Sequence, residues 1–111
     1  MKESEIQSQI IDFLQILEKQ GKLFFQRTNN VPISMMRNGK RVFRSMPQGA
    51  KKGFPDIIVV VDGYFIGLEV KTLTGRQSEH QKAMEKLIIE NGGVYVVVRS
   101  LDDVINILKK G

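Results

Sequence analysis

The chain has 111 residues, 41% of them apolar and 26% charged, the make-up of one ordinary globular domain over residues 1–111. With no cysteine and one histidine, disulfides, thiolate catalysis, cysteine-bound zinc and histidine-rich metal sites are excluded, and any metal must sit on oxygen ligands. The net charge of +5 is unevenly spread: residues 22–52 hold eight lysines and arginines and no acid, the footprint of a phosphate-binding surface, against nine bases and twelve acids elsewhere.

The first residues turn amphipathic at once, with no apolar stretch of the kind a secretory leader needs. No apolar run reaches the roughly 18 residues of a membrane span, so no membrane association and a cytoplasmic location are expected. Ile6, Ile10, Phe13, Leu14 and Leu17 recur at helical spacing and predict an amphipathic helix over 4–19, ended by Gly21. Residues 22–28 predict a strand centred on Leu23, Phe24 and Phe25. Residues 29–53 are broken by polar, glycine and proline positions; a short hairpin around Asn38-Gly39, flanked by Met36 and Val42, is the one element they suggest. Strands over 57–61 and 64–71 flank Asp62-Gly63. Ser78 and Gln81, at capping-box spacing, open a helix that Asn91-Gly92-Gly93 stops. Residues 94–99 read as an apolar, β-branched strand buried on both faces, and Ser100 leads a short helix over 101–110. The order is α-β-β-β-α-β-α. The helical crossover between Lys71 and Val94 implies a parallel step, so an α/β fold with a mixed sheet flanked by helices is expected.

Chemistry follows from the hairpin. With Asp62-Gly63 as a two-residue turn, Val61 pairs with Tyr64 and Asp56 falls opposite Glu69. Opposed residues share a face, with Cβ atoms about 4.5–5.5 Å apart. Lys71 projects from that face one pleat further on. Two opposed carboxylates are destabilising unless compensated, either by Lys71 in a structural ion-pair cluster or by a divalent cation held on rigid strands. The second reading gives Asp56 and Glu69 to one Mg²⁺, with Mn²⁺ able to substitute. Lys71 then orients or deprotonates an attacking water, or stabilises the negative charge of phosphoryl transfer, in metal-assisted phosphodiester hydrolysis.

Gly53-Phe54-Pro55-Asp56, thirteen residues ahead of Glu69-Val70-Lys71, resembles the PD-(D/E)xK nuclease signature. More narrowly it resembles the VRR-NUC group, the virus-type replication-repair nucleases. Lys51-Lys52 ahead of Gly53, the Thr74-Gly75-Arg76 and Gln81 that follow Lys71, and Val98-Arg99-Ser100 are similar to that group's pattern over essentially the whole chain. The group's name suggests two arginines where Arg99-Ser100 stands, so Ser100 receives no role.

The resemblance implies a restriction-endonuclease-like core and Mg²⁺-dependent cleavage of DNA, with Asp56, Glu69, Lys71 and Gln81 catalytic. It also implies an acidic metal ligand on the first helix: Glu5, which directly precedes Ile6-Gln7, is favoured over Glu3. Gln81 then sits near the metal-bound water, a role that coexists with the capping box only if its side chain changes partners. DNA contacts fall to Arg37, Lys40, Arg41, Arg44, Lys51, Lys52 and Arg76, with Lys82 beside them. His80 is expected on a helix surface without a catalytic role, and Met35 and Met36 in a packed loop.

Small members of this group suggest a homodimeric enzyme for branched DNA, similar to Holliday-junction resolvases and phage-encoded, acting in the host cytoplasm. Residues 29–53, with Val31, Ile33, Met35, Met36, Val42 and Phe43, would supply the dimer contact, the DNA surface or both. The rivals are a monomeric flap or end-processing nuclease and a catalytically silent DNA-binding module of the same fold.

Overall fold

The computed structural model describes residues 1–28, 34–37, 39–43 and 48–109, with 34–37 and 40–43 described by their backbone. Helix α1 (Glu3–Lys19) leads into strand β1 (Phe24–Arg27). Strands β2 (Ser34–Arg37) and β3 (Lys40–Phe43) pair antiparallel, Arg37 opposite Lys40, as the Asn38-Gly39 signal suggests. Then come β4 (Ile57–Val61), β5 (Tyr64–Val70), α2 (Glu79–Glu90), β6 (Val94–Val98) and α3 (Leu101–Lys109).

Four strands form one sheet in the order β1-β4-β5-β6; β1, β4 and β5 are antiparallel, and β5 and β6 run parallel, the step that the helical crossover requires. The β4–β5 turn is a two-residue one with φ of 50° at Asp62 and 81° at Gly63, the positive pair a type I′ turn needs. It fixes the register Val61↔Tyr64 through Ile57↔Leu68.

The two faces of this sheet differ. Ile57, Val59, Ile66, Leu68, Val70 and Val98 point to one side and form the main core with Ile6, Ile10 and Leu14 of α1 and Val104 of α3. The apolar stripe read from the sequence is therefore the face α1 buries. Gly21, at φ 73°, ends that helix: its N–H donates to Glu18 O at 3.0 Å, and that of Lys22 to Leu17 O at 3.0 Å. Helix α2 covers the opposite side, over β5 and β6.

One expectation for the strands needs correcting. The strand buried on both faces is β5, in which Ile66 through Val70 are all buried. Strand β6 lies at the sheet edge, with Val94 38% exposed, because an edge strand has a neighbour on one side only. Among the described residues no helix is long and apolar enough to cross a membrane.

Candidate active site

Strand β5 alternates, so moving one residue from Leu68 to Glu69 moves from the core to the α2 side. Four constraints position Asp56 on that side. Gly53, at φ 80°, lies so close to the first turn of α2 that a Cβ would stand 2.3 Å from His80 O. Pro55 packs onto Gly67, where a Cβ would come within 2.5 Å of the proline ring. Thr28, just past β1, donates its N–H to Asp56 O at 2.9 Å and its hydroxyl to Pro55 O. Finally, Asp56 Oδ2 accepts the N–H of Val70 at 2.9 Å, so the carboxylate itself ties β4 to β5 beyond the last ladder pair.

Glu69 is 1% exposed, a buried acid against the grain of its chemistry. Gln81 Nε2 donates to its Oε2 at 2.9 Å, the Tyr95 hydroxyl donates to its Oε1 at 3.3 Å, and Lys71 Nζ stands 3.8 Å from Oε2. Burial, then the charge of Asp56 and direct hydrogen-bonding contact with it, push the Glu69 carboxyl up to about 8; Lys71 and Tyr95 pull the other way. Desolvation, together with the negative charges of Glu69 and Glu85, pushes the Tyr95 hydroxyl above its ordinary range.

Gln81 resolves an apparent conflict between roles. Its amide oxygen accepts the N–H of Ser78 at 2.9 Å, completing the capping box with the Ser78 hydroxyl, which accepts the Gln81 N–H at 3.2 Å. The amide nitrogen is left for Glu69. Cap and site contact are therefore made at once, without a change of partner, because the two ends of one amide have opposite hydrogen-bonding character.

The structure thus brings together Asp56, Glu69, Lys71 and Gln81. It does not bring Glu5 to them. Glu5 lies on α1, which packs on the other face of the sheet, and its Oε1 accepts the Lys2 N–H at 3.1 Å at the start of that helix. Among the described residues no third acid or histidine joins Asp56 and Glu69 in a metal-holding group. Lys51, Lys52, Arg76 and His80 are exposed. Arg37, Lys40 and Arg41 fall on the backbone-described strands, and Arg44, Val31 and Ile33 lie outside the described residues.

Two contacts that build the site do not follow from the sequence pattern. Tyr95 sits in a run that reads as plain core, yet its hydroxyl meets Glu69. Arg99 Nη1 donates to Thr72 O and, at 2.8 Å, to Gly75 O, closing the turn that follows Lys71.

The donor set suits a hard divalent cation. Two carboxyls held together in a desolvated place must share a proton or a positive ion, and Lys71, paired with Glu69 at 3.8 Å, brings one charge against two. Asp56 and Glu69 are the residues that would hold it.

No family model and no curated protein matches the chain. A solved structure described as a VRR_NUC domain aligns with it at a TM-score of 0.62 and 17% identity, over 96% of this chain and 94% of that one. The chain shares the fold of that domain, a restriction-endonuclease-like α/β architecture, in the element order expected from the sequence.

Proposed function

We propose that the chain is a Mg²⁺-dependent nuclease that hydrolyses phosphodiester bonds in branched DNA, four-way junctions first, and works as a homodimer. One observation carries the catalytic part: Asp56 and Glu69 in contact at the end of a hairpin, with Lys71 Nζ 3.8 Å from Glu69 on a VRR_NUC-like fold. Bound at the two carboxylates, the cation would supply Lewis-acid polarisation of the phosphate and a more acidic water. Lys71 orients that water or steadies the charge growing on the phosphate oxygens, while Gln81 and the cap behind it keep Glu69 in place. The basic residues of 22–52 and Arg76 hold the backbone phosphates. A dimer matches a junction because two symmetry-related strands each need a metal site, and one domain offers one.

The test is purified chain with Mg²⁺ or Mn²⁺ against duplex, flap, splayed and four-way DNAs, with light scattering alongside. Metal-dependent cutting that favours the four-way junction and stops in EDTA is expected, from a dimer. Full activity after chelation would overturn the metal mechanism. A monomer that prefers flaps would shift the substrate to end processing, and binding without cutting would leave a DNA-binding module.

A further inference from the structure

We propose that Tyr95 is a positioning residue of the metal site: its hydroxyl and the Gln81 amide grip the Glu69 carboxylate by one oxygen each and keep it turned toward Asp56. The inference rests on the reading of Asp56 and Glu69 as cation ligands.

Glu69 is 1% exposed, so bulk water cannot orient it, and its two oxygens offer about four acceptor positions. Gln81 takes one on Oε2 at 2.9 Å, and Tyr95 takes one on Oε1 at 3.3 Å. These donors come from α2 and β6, two different elements that both follow the glutamate in the chain. Each is fixed in turn. Gln81 is held through its oxygen by Ser78 N–H, and the Tyr95 ring is 5% exposed in a strand whose register pairs it with Gly67. Without the Tyr95 hydroxyl, the donors left to Glu69 lie on Oε2, on the side of Gln81 and Lys71, and with both carboxyls charged repulsion from Asp56 favours a turn away from the shared site. Packing does not require this hydroxyl, since phenylalanine would fill the same space. Further out, Gln77 Nε2 donates to Glu85 Oε1 at 3.4 Å.

Partners of this kind, one step behind the ligand, typically change metal affinity about 10–100-fold. The experiment is Mn²⁺ titration of the full chain without DNA, followed by electron paramagnetic resonance, and cleavage as a function of Mn²⁺. For Tyr95→Phe, Mn²⁺ affinity should fall about tenfold and the half-saturating Mn²⁺ for cleavage rise by a like factor. Cleavage at saturating Mn²⁺ and the melting temperature should stay close to wild type. Unchanged Mn²⁺ affinity, or a loss confined to turnover at saturating metal, overturns the proposal. Should the phenylalanine variant not fold, Tyr95→Leu removes the same hydroxyl with a smaller apolar side chain, and a wild-type Mn²⁺ affinity there overturns it equally. Wild type and Glu69→Gln binding Mn²⁺ alike would instead bring down the metal-site reading itself, a result separable from either.

Discussion

The two faces of the central sheet are made from the same strands and teach opposite lessons. Toward α1 and α3, every fully buried position is aliphatic, with Phe13 and Phe25 packed at the margin, and the face is held chiefly by burial. Toward α2, the interleaved positions include Asp56, Gly67, Glu69 and Tyr95, packed against Pro55 and Gln81 and tied by hydrogen bonds and close backbone approach. The first face makes the domain stable enough for the second to carry two carboxyls that repel each other. Stability and chemistry are thus separated by a single residue step along β5.

Leu68 and Glu69 are the sharpest place to break that separation. Leu68→Ala should cost about 2–5 kcal/mol in urea denaturation, because a fully buried leucine leaves a cavity, while the folded fraction still cleaves. Glu69→Gln should do the reverse. Cleavage should drop on the order of 10³-fold as a ligand charge is lost, while metal-free stability is kept or improved as repulsion from Asp56 disappears. A Glu69→Gln chain that cuts within a few-fold of wild type would remove the glutamate from the chemistry.

The pH dependence of stability separates the faces next. The Glu69 carboxyl is pushed up to about 8 in the folded chain, chiefly by burial, from an ordinary value of 4.5. The native state therefore holds this proton more tightly than the unfolded state does. Its contribution to stability is full below about pH 4.5 and is lost as pH rises through about 8. The metal-free chain should lose roughly 2–4 kcal/mol across that window, Mg²⁺ should oppose the loss, and Glu69→Gln should abolish the slope. Urea denaturation in EDTA at several pH values measures this; stability that is flat or rising toward pH 8 in wild type would contradict it.

Gly67 tests the close packing on the site face. A Cβ there would meet Pro55 Cγ at 2.5 Å, so Gly67→Ala must displace the segment that carries Asp56. A cost of about 1–3 kcal/mol is expected. Cleavage per folded molecule should fall as well, a pairing that Leu68→Ala lacks. Activity unchanged once corrected for folding would mean that Asp56 tolerates the shift.

Much of this was legible in the sequence because it is set locally. Asp62-Gly63 dictates the turn, the turn dictates the register, and the register brings Asp56 to Glu69. The stripe on α1 and the Ser78 cap are equally local. What stayed hidden depends on distant pairing. Tyr95 reaches Glu69 only because β6 lies parallel to β5 with Gly67 opposite Tyr95, an offset fixed by how the α2 crossover packs. Arg99 likewise meets a turn 24 residues earlier in the chain. For Glu5 a helical wheel gives the side of α1, but not which face of the sheet the helix covers.

The smallest effect makes the finest comparison, because each face carries a helix capped by a serine hydroxyl. Ser78 Oγ accepts the Gln81 N–H at 3.2 Å at the start of α2, and Ser100 Oγ accepts the Asp103 N–H at 3.2 Å at the start of α3. At α2 the third helical residue accepts back from the cap itself, Ser78 N–H to Gln81 Oε1 at 2.9 Å, whereas at α3 it accepts from one residue earlier, Arg99 N–H to Asp103 Oδ2 at 2.8 Å. Ser78→Ala and Ser100→Ala should therefore each cost about 1 kcal/mol, a lowering of roughly 4–8 °C in melting temperature. Their effects on cleavage should differ. The Ser78 cap sets the first turn from which Gln81 reaches Glu69, so loosening it should lower the rate a few-fold under conditions where the chain stays folded. The Ser100 cap serves a helix that packs on the aliphatic face and meets the site side through the Arg99 backbone, so its loss should lower the rate per folded molecule less. Equal rates for the two variants would show that Gln81 holds Glu69 without help from its cap, and that the site face is stiffer than its hydrogen bonds alone require.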